Sequence, residues 1–333
     1  MNAPTQHANG RPVQVITLTS PVGDRIAGYV LANSLCQGCH GLPLPREDAG
    51  PTALPVCQCP EPGTLPVVGQ TGAGRDLILC GSGPSLPLVK NLLAVHPEAD
   101  VWGCNDALMW LTARGLRVTH GVGIDQSPDL YTSCWTAPPA VTYLLATSVD
   151  HRLVGHLIQH GHRERIAFFH SFCGFAGEEE LYRLLYPPVP MVGSGLNVVN
   201  RSVPLADWMG YRTIYVVGAD CALGKGDAFH VGETAAETGI ILRGTIGGRK
   251  WATKPDMLLS ACDLVRQKRE LGDRLQFIGR TLPAALEGKD DAYLDRCIRW
   301  HDATRISPDG EVTRLSDLQA AQAVNLAPAP GTP

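Results

Sequence analysis

From Asp76 onward, the sequence alternates short apolar runs with stretches of helical periodicity, and this alternation restricts the fold more than any other feature. Short continuous runs of β-branched and aliphatic residues are typical of strands that are buried on both faces of a sheet. Strands that alternate with helices predict a doubly wound, Rossmann-like α/β fold with a mostly parallel sheet. We predict strands at residues 77–80, 100–104, 118–124, 141–146, 166–169 and 213–217, and helices at 87–95, 106–114, 150–159 and 196–209.

The sequence after the last of these strands predicts a small C-terminal extension made of a hairpin and helices. The stretch 239–253, GIILRGTIGGRKWAT, predicts an antiparallel hairpin that turns at its central pair of glycines. Residues 255–271 begin with proline and are followed by glycine, which predicts an amphipathic helix, and a last helix is predicted at 290–300. The proline-rich end of the chain, residues 303–333, is expected to be disordered.

Eleven cysteines are many for a chain of this length, and four of them are clustered in the N-terminal region. A C-x-x-C pair is followed by a C-x-C pair, and a loop rich in proline and glycine separates the two. Two such pairs on tight turns can place four thiolates around one tetrahedral zinc ion. We therefore predict a structural zinc-ribbon-like module over residues 36–59, within an N-terminal segment of residues 1–75. Its predicted ligands are Cys36, Cys39, Cys57 and Cys59.

Other interpretations of these cysteines stay open. The stretch from Cys36 to His40 also matches the C-x-x-C-H pattern of haem attachment, but that reaction requires export and leaves the second pair unexplained. A redox C-x-x-C lacks the usual preceding strand, and thiol pairs without a metal are a further alternative. The other seven cysteines stand alone in apolar stretches, where we expect small buried side chains without chemistry.

Composition and charge exclude several classes of protein. Hydrophobic residues make up 44% of the chain and charged residues 18%, which is enough for the folded core of one or two domains. The net charge of -4 does not favour nucleic-acid binding, and only Arg46 is basic between the two cysteine pairs. No apolar run reaches the roughly 18 residues of a membrane helix and no secretory signal is visible, so we expect a cytoplasmic protein without membrane contact.

A turn rich in glycine and serine, GSGPSL, follows the first predicted strand. Glycines let a ligand approach the backbone, serine hydroxyls offer hydrogen bonds, and the N-terminus of the next helix favours a phosphate. The turn is not a Walker loop, since no Gly-Lys-Ser/Thr follows, and Leu86 stands where the third glycine of G-x-G-x-x-G would be. A tight turn without a ligand is the alternative. The residues predicted to bind a nucleotide here are Gly81, Ser82, Gly83, Pro84 and Ser85.

Polar residues also follow three other predicted strands. They are Asn105, Asp106, Asp125 and Asp220. Because parallel strands end at one edge of a sheet, and ligands of α/β proteins bind at that edge, these residues are candidates for a shared site. Helix N-capping would explain any one of the first three without a function. The polar loop that follows carries Lys225 and His230, and His230 is a candidate general base or phosphate contact. A surface histidine is the alternative.

Four blocks of the sequence, taken in order, resemble a known family. They read LILCGSGPSL, DVWGCND, GSGLNVVNRSVPLADWMGYRTIYVVGAD and, after the loop with the histidine, GGRKWATKPDM. The set resembles the 6-hydroxymethylpterin diphosphokinase MptE-like family, which includes motility-accessory-factor proteins linked to flagellin glycosylation. The first three blocks are also similar to bacterial sialyltransferases that use a CMP-sugar. The resemblance covers residues 76–290 and implies an MptE-like nucleotide-binding transferase domain at 76–302.

The similarity to the sialyltransferases implies a donor-nucleotide site at the strand ends. In that family pattern the serines and glycine of the turn, together with Asn105, hold the nucleotide, and Ser194 and Gly195 match the same pattern. It also implies that Asp220 shapes the site and that His230 deprotonates an acceptor hydroxyl, so these two are the candidate catalytic residues. The nucleotide-binding candidates are Gly81, Ser82, Gly83, Pro84, Ser85, Asn105, Asp106, Asp125, Ser194, Gly195 and Lys225.

The similarity to the diphosphokinases implies a different reaction, the transfer of pyrophosphate from ATP. The related pyrophosphokinases carry an Asp-x-Asp-Gly signature for Mg²⁺ and ATP. The matching stretch here, residues 123–127, reads Gly-Ile-Asp-Gln-Ser, so Asp125 is its only acidic residue. The second carboxylate of a two-carboxylate magnesium clamp is therefore absent from this stretch.

From these observations we favour an enzyme, a glycosyltransferase-like protein that uses a nucleotide-sugar donor and an acceptor that the sequence does not identify. The first alternative is a diphosphokinase of the hydroxymethylpterin type. The second is a non-catalytic protein whose zinc module recruits a partner. Zn²⁺ is expected as a structural ion and Mg²⁺ only if ATP is the donor. Strong nucleic-acid binding is not expected, and a homo-oligomer is compatible with the sequence.

Overall fold

The computed structural model of the chain describes Val30 and residues 67–173, 178–185, 191–193, 195–224, 228, 230–231 and 241–303. Several predictions concern residues outside these ranges and stay predictions. They are the zinc-ribbon-like module with Cys36, Cys39, Cys57 and Cys59, the two candidate site residues Ser194 and Lys225, and the disordered tail beyond residue 303.

Strands and α-helices alternate from Asp76 to Thr112 and again from Thr142 to Leu185, as the sequence predicts. In chain order they are β1 (Asp76–Cys80), α1 (Val89–Val95), β2 (Asp100–Cys104), α2 (Asp106–Thr112), β3 (His120–Gly123), β4 (Thr142–Ala146), α3 (His151–Gln159), β5 (Ile166–Ser171) and α4 (Glu178–Leu185). A 3-10 helix at Leu86–Leu88 leads directly into α1, and its proline suits this position because the first turn of a helix needs no N–H from it.

The second part of the described chain adds the remaining elements. They are β6 (Met191–Val192), α5 (Val198–Trp208), β7 (Thr213–Val217), β8 (Leu242–Ile246), β9 (Arg249–Thr253), α6 (Pro255–Leu271), β10 (Leu275–Phe277), α7 (Leu282–Leu286) and α8 (Asp291–Ala303). The predicted hairpin is confirmed as the antiparallel pair of β8 and β9. It turns at Gly247 and Gly248, whose φ angles of 59° and 75° are the positive values that a tight hairpin turn requires.

The chain divides into two compact units. We call one the β3 unit (Met1–Thr71 and Thr119–Gly193) and the other the β1 unit (Gly72–Val118 and Ser194–Pro333). In the β3 unit, four parallel strands pair in the order β3, β4, β5 and β6. A single bridge pairs Val67 with Phe168 of β5.

In the β1 unit, four parallel strands pair in the order β10, β7, β1 and β2. The apolar residues of β1 are fully buried, because both faces of the strand pack against other elements of the unit. Ile78 and Cys80 share one core cluster with Val101 of β2, Ala107 of α2 and Val217 of β7. The fold class is thus confirmed: both units are α/β, and all eight of these described strands run parallel to their neighbours.

Four elements are absent from the sequence prediction. They are β6, β10, α4 and α7. The strand β10 pairs with β7, so the C-terminal part of the chain adds a strand to the sheet as well as a hairpin and helices. The seven single cysteines form no disulfide, and five of them are buried, in agreement with their expected role as core residues. Burial raises the pKa of Cys104 to about 12, so this thiol stays protonated at neutral pH.

Candidate functional site

The reversal of strand order in the β1 unit makes one edge of its sheet a candidate ligand site. β1 lies between β2, which follows it in the chain, and β7, which comes much later. At such a switch point the connections leave in opposite directions and open a crevice at the carboxyl ends of the two strands. The segments that begin there are Gly81–Ser85 after β1 and Gly218–Asp220 after β7.

Backbone hydrogen bonds join these two segments where they cross. The N–H of Gly83 donates to the carbonyl of Gly218 at 2.8 Å, and that of Gly81 donates to the carbonyl of Val217 at the same distance. A Cβ atom on Gly218 would lie 2.0 Å from the carbonyl oxygen of Gly81, and Gly218 has a φ of 72°. Only glycine fits at these two positions, so the close approach of the two turns explains both Gly81 and Gly218.

Ser85 ties the two turns together through Asp220. The backbone N–H and the hydroxyl of Ser85 each donate to Oδ2 of Asp220 at 2.9 Å. The same hydroxyl accepts a hydrogen bond of 3.0 Å from the N–H of Gly218. The predicted site residues Ser85 and Asp220 therefore contact each other. Because the N–H of Ser85 already donates to Asp220, this N–H is not available to bind a phosphate at the start of the helix.

The carboxyl group of Asp220 is buried, and its charge is balanced by several neighbours. Burial raises the pKa of Asp220 above the usual value for aspartate, while the hydrogen bonds from Ser85 and the positive charge of Arg249 lower it. The effect of burial is the largest, so the pKa of Asp220 is raised overall. A carboxyl group in this position is therefore easier to protonate than one in water.

Ser82 and His230, both half-buried, form a side-chain hydrogen bond at this edge. The hydroxyl oxygen of Ser82 lies 2.7 Å from Nδ1 of His230, and the imidazole tautomer decides which group donates. The carbonyl of Ser82 also accepts a hydrogen bond of 2.8 Å from the N–H of Val231. The loop with the histidine is thus attached to the glycine turn, and His230 stands where it could exchange a proton with a bound hydroxyl group.

Asn105 lies between β2 and α2, at the N-cap position of the helix, and has an unusual backbone. Its φ is 46° and its ψ is -121°, and its side chain makes no capping hydrogen bond to the helix. Such angles cost a residue other than glycine about 1–3 kcal/mol, and residues with strained backbones cluster at functional sites. The helix-capping explanation for Asn105 is therefore not supported. Asp106, in the first turn of α2, is exposed and has the favourable position of an acidic residue at a helix N-terminus.

Gly195 is held against a buried residue that the sequence did not single out. Its φ is 83°, and a Cβ atom there would lie 2.1 Å from the Cβ of Asn200. Asn200 is fully buried in α5, and its Nδ2 donates to the carbonyl of Ser260 in α6 at 2.9 Å. Asp125 follows β3 in the β3 unit, and its predicted role stays a prediction.

The hairpin is attached to the chain that leaves Asp220. The N–H of Leu223 donates to the carbonyl of Ala252 at 2.8 Å, and the hydroxyl of Thr253 donates to the carbonyl of Cys221 at 2.6 Å. These contacts bring Arg249, at the start of β9, to the same edge. Arg249 lies in the GGRKWATKPDM block, and no local sequence pattern marks it as a site residue.

Within the described ranges, no group of three or more His, Cys, Asp or Glu residues is placed to hold a metal ion. The same part of the chain contains no helix that is both long and apolar enough to span a membrane.

Comparison with solved structures finds a related fold. The chain is 14% identical to the Maf glycosyltransferase of Magnetospirillum magneticum AMB-1, with a TM-score of 0.55. The match covers 85% of this chain and 42% of that protein, so the chain spans less than half of its length. At this identity the likeness shows a shared fold. No protein among the curated sequences matches this one.

The family model supports the resemblance seen in the sequence blocks. The model for 6-hydroxymethylpterin diphosphokinase MptE-like proteins matches residues 60–226, which is half of the chain. This range includes the glycine turn after β1, Asn105 and the segment from Gly218 to Asp220. The chain therefore belongs to the MptE-like family.

Proposed function

We propose that this protein is a nucleotide-dependent transferase of the glycosyltransferase type, which uses a nucleotide-sugar donor. The observation that carries the proposal is the 2.7 Å contact between Ser82 and His230 at the switch point of the sheet. At this point His230 could accept a proton, next to the turn where α/β proteins of this topology bind their ligands. Membership of the MptE-like family and the fold shared with a Maf glycosyltransferase support a transferase.

The donor nucleotide would lie against the turn after β1. Ser82 and Gly83 would contact it from that turn and Asn105 from the end of the neighbouring strand β2. A Cβ atom on Gly83 would lie 2.5 Å from Oδ2 of Asp220, so a glycine at this position lets the turn pack closely against Asp220. Ser85 and Asp220 would act as positioning residues, because their hydrogen bonds to each other hold the turn in shape.

His230 would act as the general base. In the transfer, a bond forms between an acceptor hydroxyl oxygen and the anomeric carbon of the sugar, while the bond from that carbon to the phosphate oxygen breaks. The proton of the hydroxyl passes to His230, and the nucleotide leaves with the electron pair of the broken bond. Positioned general bases typically contribute about 10²- to 10⁴-fold to a rate.

Pyrophosphate transfer from ATP is the second candidate, because the matching family model takes its name from a diphosphokinase. That reaction normally requires Mg²⁺ held between carboxylates and the phosphates of ATP. The stretch that matches the pyrophosphokinase signature, residues 123–127, has one acidic residue, Asp125, where that signature has two. For this reason we place this function second.

A turnover assay separates the two functions. Wild-type protein would be incubated with CMP- or UDP-sugars, and separately with Mg·ATP and a hydroxymethylpterin, and the released nucleotide measured. We expect release of CMP or UDP, and a loss of about 10²- to 10⁴-fold in kcat for His230→Ala. His160→Ala, which changes an exposed histidine of the β3 unit, is the matched control. AMP release from ATP alone would contradict the proposal. Cytoplasmic location, zinc in the N-terminal module and assembly into oligomers remain expectations from the sequence.

A further inference from the structure

Two exposed arginines, Arg249 and Arg280, lie beside the proposed donor site. Among the described residues, neither of them forms an ion pair. Arginines of the same unit that are paired with carboxylates are Arg75 with Asp100, Arg212 with Asp76, Arg266 with Asp295, Arg269 with Asp291 and Arg274 with Asp207. Arg114 and Arg117 also form no ion pair in the described part of the chain, but Arg114 lies over Trp110 and Arg117 donates to the carbonyl of Ala99. What distinguishes Arg249 and Arg280 is therefore their position at this edge.

Backbone contacts hold both arginines at the edge where the donor would bind. Arg280 lies between Gly279, where a Cβ atom would lie 3.2 Å from the Cβ of Ser85, and Leu282, whose N–H donates to the carbonyl of Asp220 at 2.9 Å. The hairpin that carries Arg249 is attached to the residues after Asp220, as described above. An Nη atom of Arg249 lies 3.4 Å from the carbonyl oxygen of Arg280, so the two residues are direct neighbours.

The side chain of Arg249 is held in place before any ligand arrives. Its guanidinium carbon lies 4.4 Å from the ring centroid of Trp251, close enough for a cation–π contact. Trp251 is itself buried, and its Nε1 lies 3.4 Å from the carbonyl oxygen of Ile246 across the hairpin turn. A guanidinium group fixed on a rigid ring loses little freedom on binding, and its planar fork matches two phosphate oxygens.

Asp220 brings a carboxyl group to the edge where the donor is proposed to bind. A nucleotide phosphate placed near the buried carboxylate of Asp220 would be repelled by it, unless a positive charge lies between them or beside them. Arg249 is close enough to Asp220 to lower its pKa by charge interaction, so it is near enough to offset that repulsion.

We propose that Arg249 and Arg280 bind the phosphate groups of the donor nucleotide. This inference rests on the proposed function and extends it, because it assigns the phosphate end of the donor to the hairpin side of the site. The nucleoside end is then left for the turn after β1 and for Asn105. In this assignment, neither arginine contacts the base or the ribose.

Paired ligands with and without phosphate test this assignment. Binding of CMP and cytidine, and of UDP and uridine, would be measured by calorimetry for the wild type, Arg249→Gln and Arg280→Gln. Lys250→Gln removes the same charge from the exposed residue next to Arg249 and is the matched control. We expect each arginine variant to bind the nucleotide about 10- to 100-fold more weakly, as for the loss of a charged hydrogen bond. Affinity for the nucleoside should not change.

The outcomes distinguish the two proposals. If the wild type binds CMP or UDP and both arginine variants bind it as tightly as Lys250→Gln, the arginine assignment is overturned and the proposed function stands. If the wild type binds neither nucleotide, the proposed function fails and the arginine assignment fails with it. Arg249→Lys, which keeps the charge and loses the fork, should show an intermediate affinity. Thermal unfolding of each variant checks that a loss of binding does not come from a loss of folding.

Discussion

The carboxylate of Asp220 accepts two hydrogen bonds from Ser85, one from its backbone N–H and one from its hydroxyl, each 2.9 Å long. The two residues follow different strands, β1 and β7, and 135 positions separate them in the sequence. Because the hydroxyl of Ser85 also accepts from the N–H of Gly218, this side chain joins the turn after β1 to the turn after β7 at two points. This contact fixes the shape of the edge at which the donor is proposed to bind.

Removal of the Ser85 hydroxyl should loosen this edge. Ser85→Ala leaves the N–H of Gly218 without its acceptor and Asp220 with one donor fewer, so we expect a loss of about 1–3 kcal/mol in the free energy of unfolding. The pKa of Asp220 should rise further, because a hydrogen bond to its charged form is lost. Urea denaturation and an NMR titration of the carboxyl group measure both effects. Ser127→Ala removes an exposed hydroxyl bonded to Asp129 and should cost less than about 0.5 kcal/mol.

The buried carboxyl group of Asp220 should make stability depend on pH. Its pKa in the folded protein is raised above the usual 3.8. The proton that the folded protein binds more tightly at Asp220 therefore stabilises the fold. This contribution is fully present below the unfolded pKa and is lost as the pH rises through the folded pKa. We expect the unfolding free energy of Asp220→Asn, relative to the wild type, to increase with pH across that window. A relative gain for the wild type as the pH rises would contradict the pKa direction.

The crossing of the two glycine turns should tolerate no side chain. Gly218→Ala would place a Cβ atom 2.0 Å from the carbonyl oxygen of Gly81. Gly74 has a similar φ of 75°, but a Cβ atom there meets nothing within 4 Å. Gly74→Ala should therefore cost only the roughly 1–3 kcal/mol of its backbone strain, and Gly218→Ala should cost clearly more. Equal losses in thermal unfolding would show that the close approach does not matter.

The strands and helices with strong periodicity could be predicted from the sequence. β2 and α6 have the predicted bounds, because the apolar run of one and the proline and glycine at the ends of the other are unambiguous. The short strands β6 and β10, of two and three residues, could not be predicted in this way. Runs of this length show no periodicity, and only the pairing with β5 and β7 makes them strands.

The candidate site could be predicted only in part. Ser82, Ser85, Asp220 and His230 are identifiable because they follow strands or lie in a polar loop next to one. Their pairing is not, since 148 positions separate Ser82 from His230 and only the strand order brings them together. Arg249 carries no local signal that distinguishes it from other exposed arginines, and its significance depends on its position at the edge where the donor is proposed to bind.

Asn105 combines a strained backbone with a proposed role in binding, and two substitutions separate these properties. Asn105→Gly removes the amide and relieves the strain of the positive φ, whereas Asn105→Ala removes the amide and keeps the strain. We expect the glycine variant to be at least as stable as the wild type in thermal unfolding, and more stable than the alanine variant by about 1 kcal/mol. Both should lose nucleotide binding in calorimetry. Unchanged affinity in the glycine variant would remove Asn105 from the site.

A nucleotide panel followed by thermal unfolding tests the central proposal most directly. A ligand that binds only the folded protein raises its stability by about 2.7 kcal/mol at 100 times its Kd, which appears as a higher Tm. We expect CMP or UDP to raise the Tm of the wild type, and to have little effect on Asn105→Gly. A rise with Mg·ATP alone, or no rise with any nucleotide, would contradict a nucleotide-sugar donor at the switch point of this sheet.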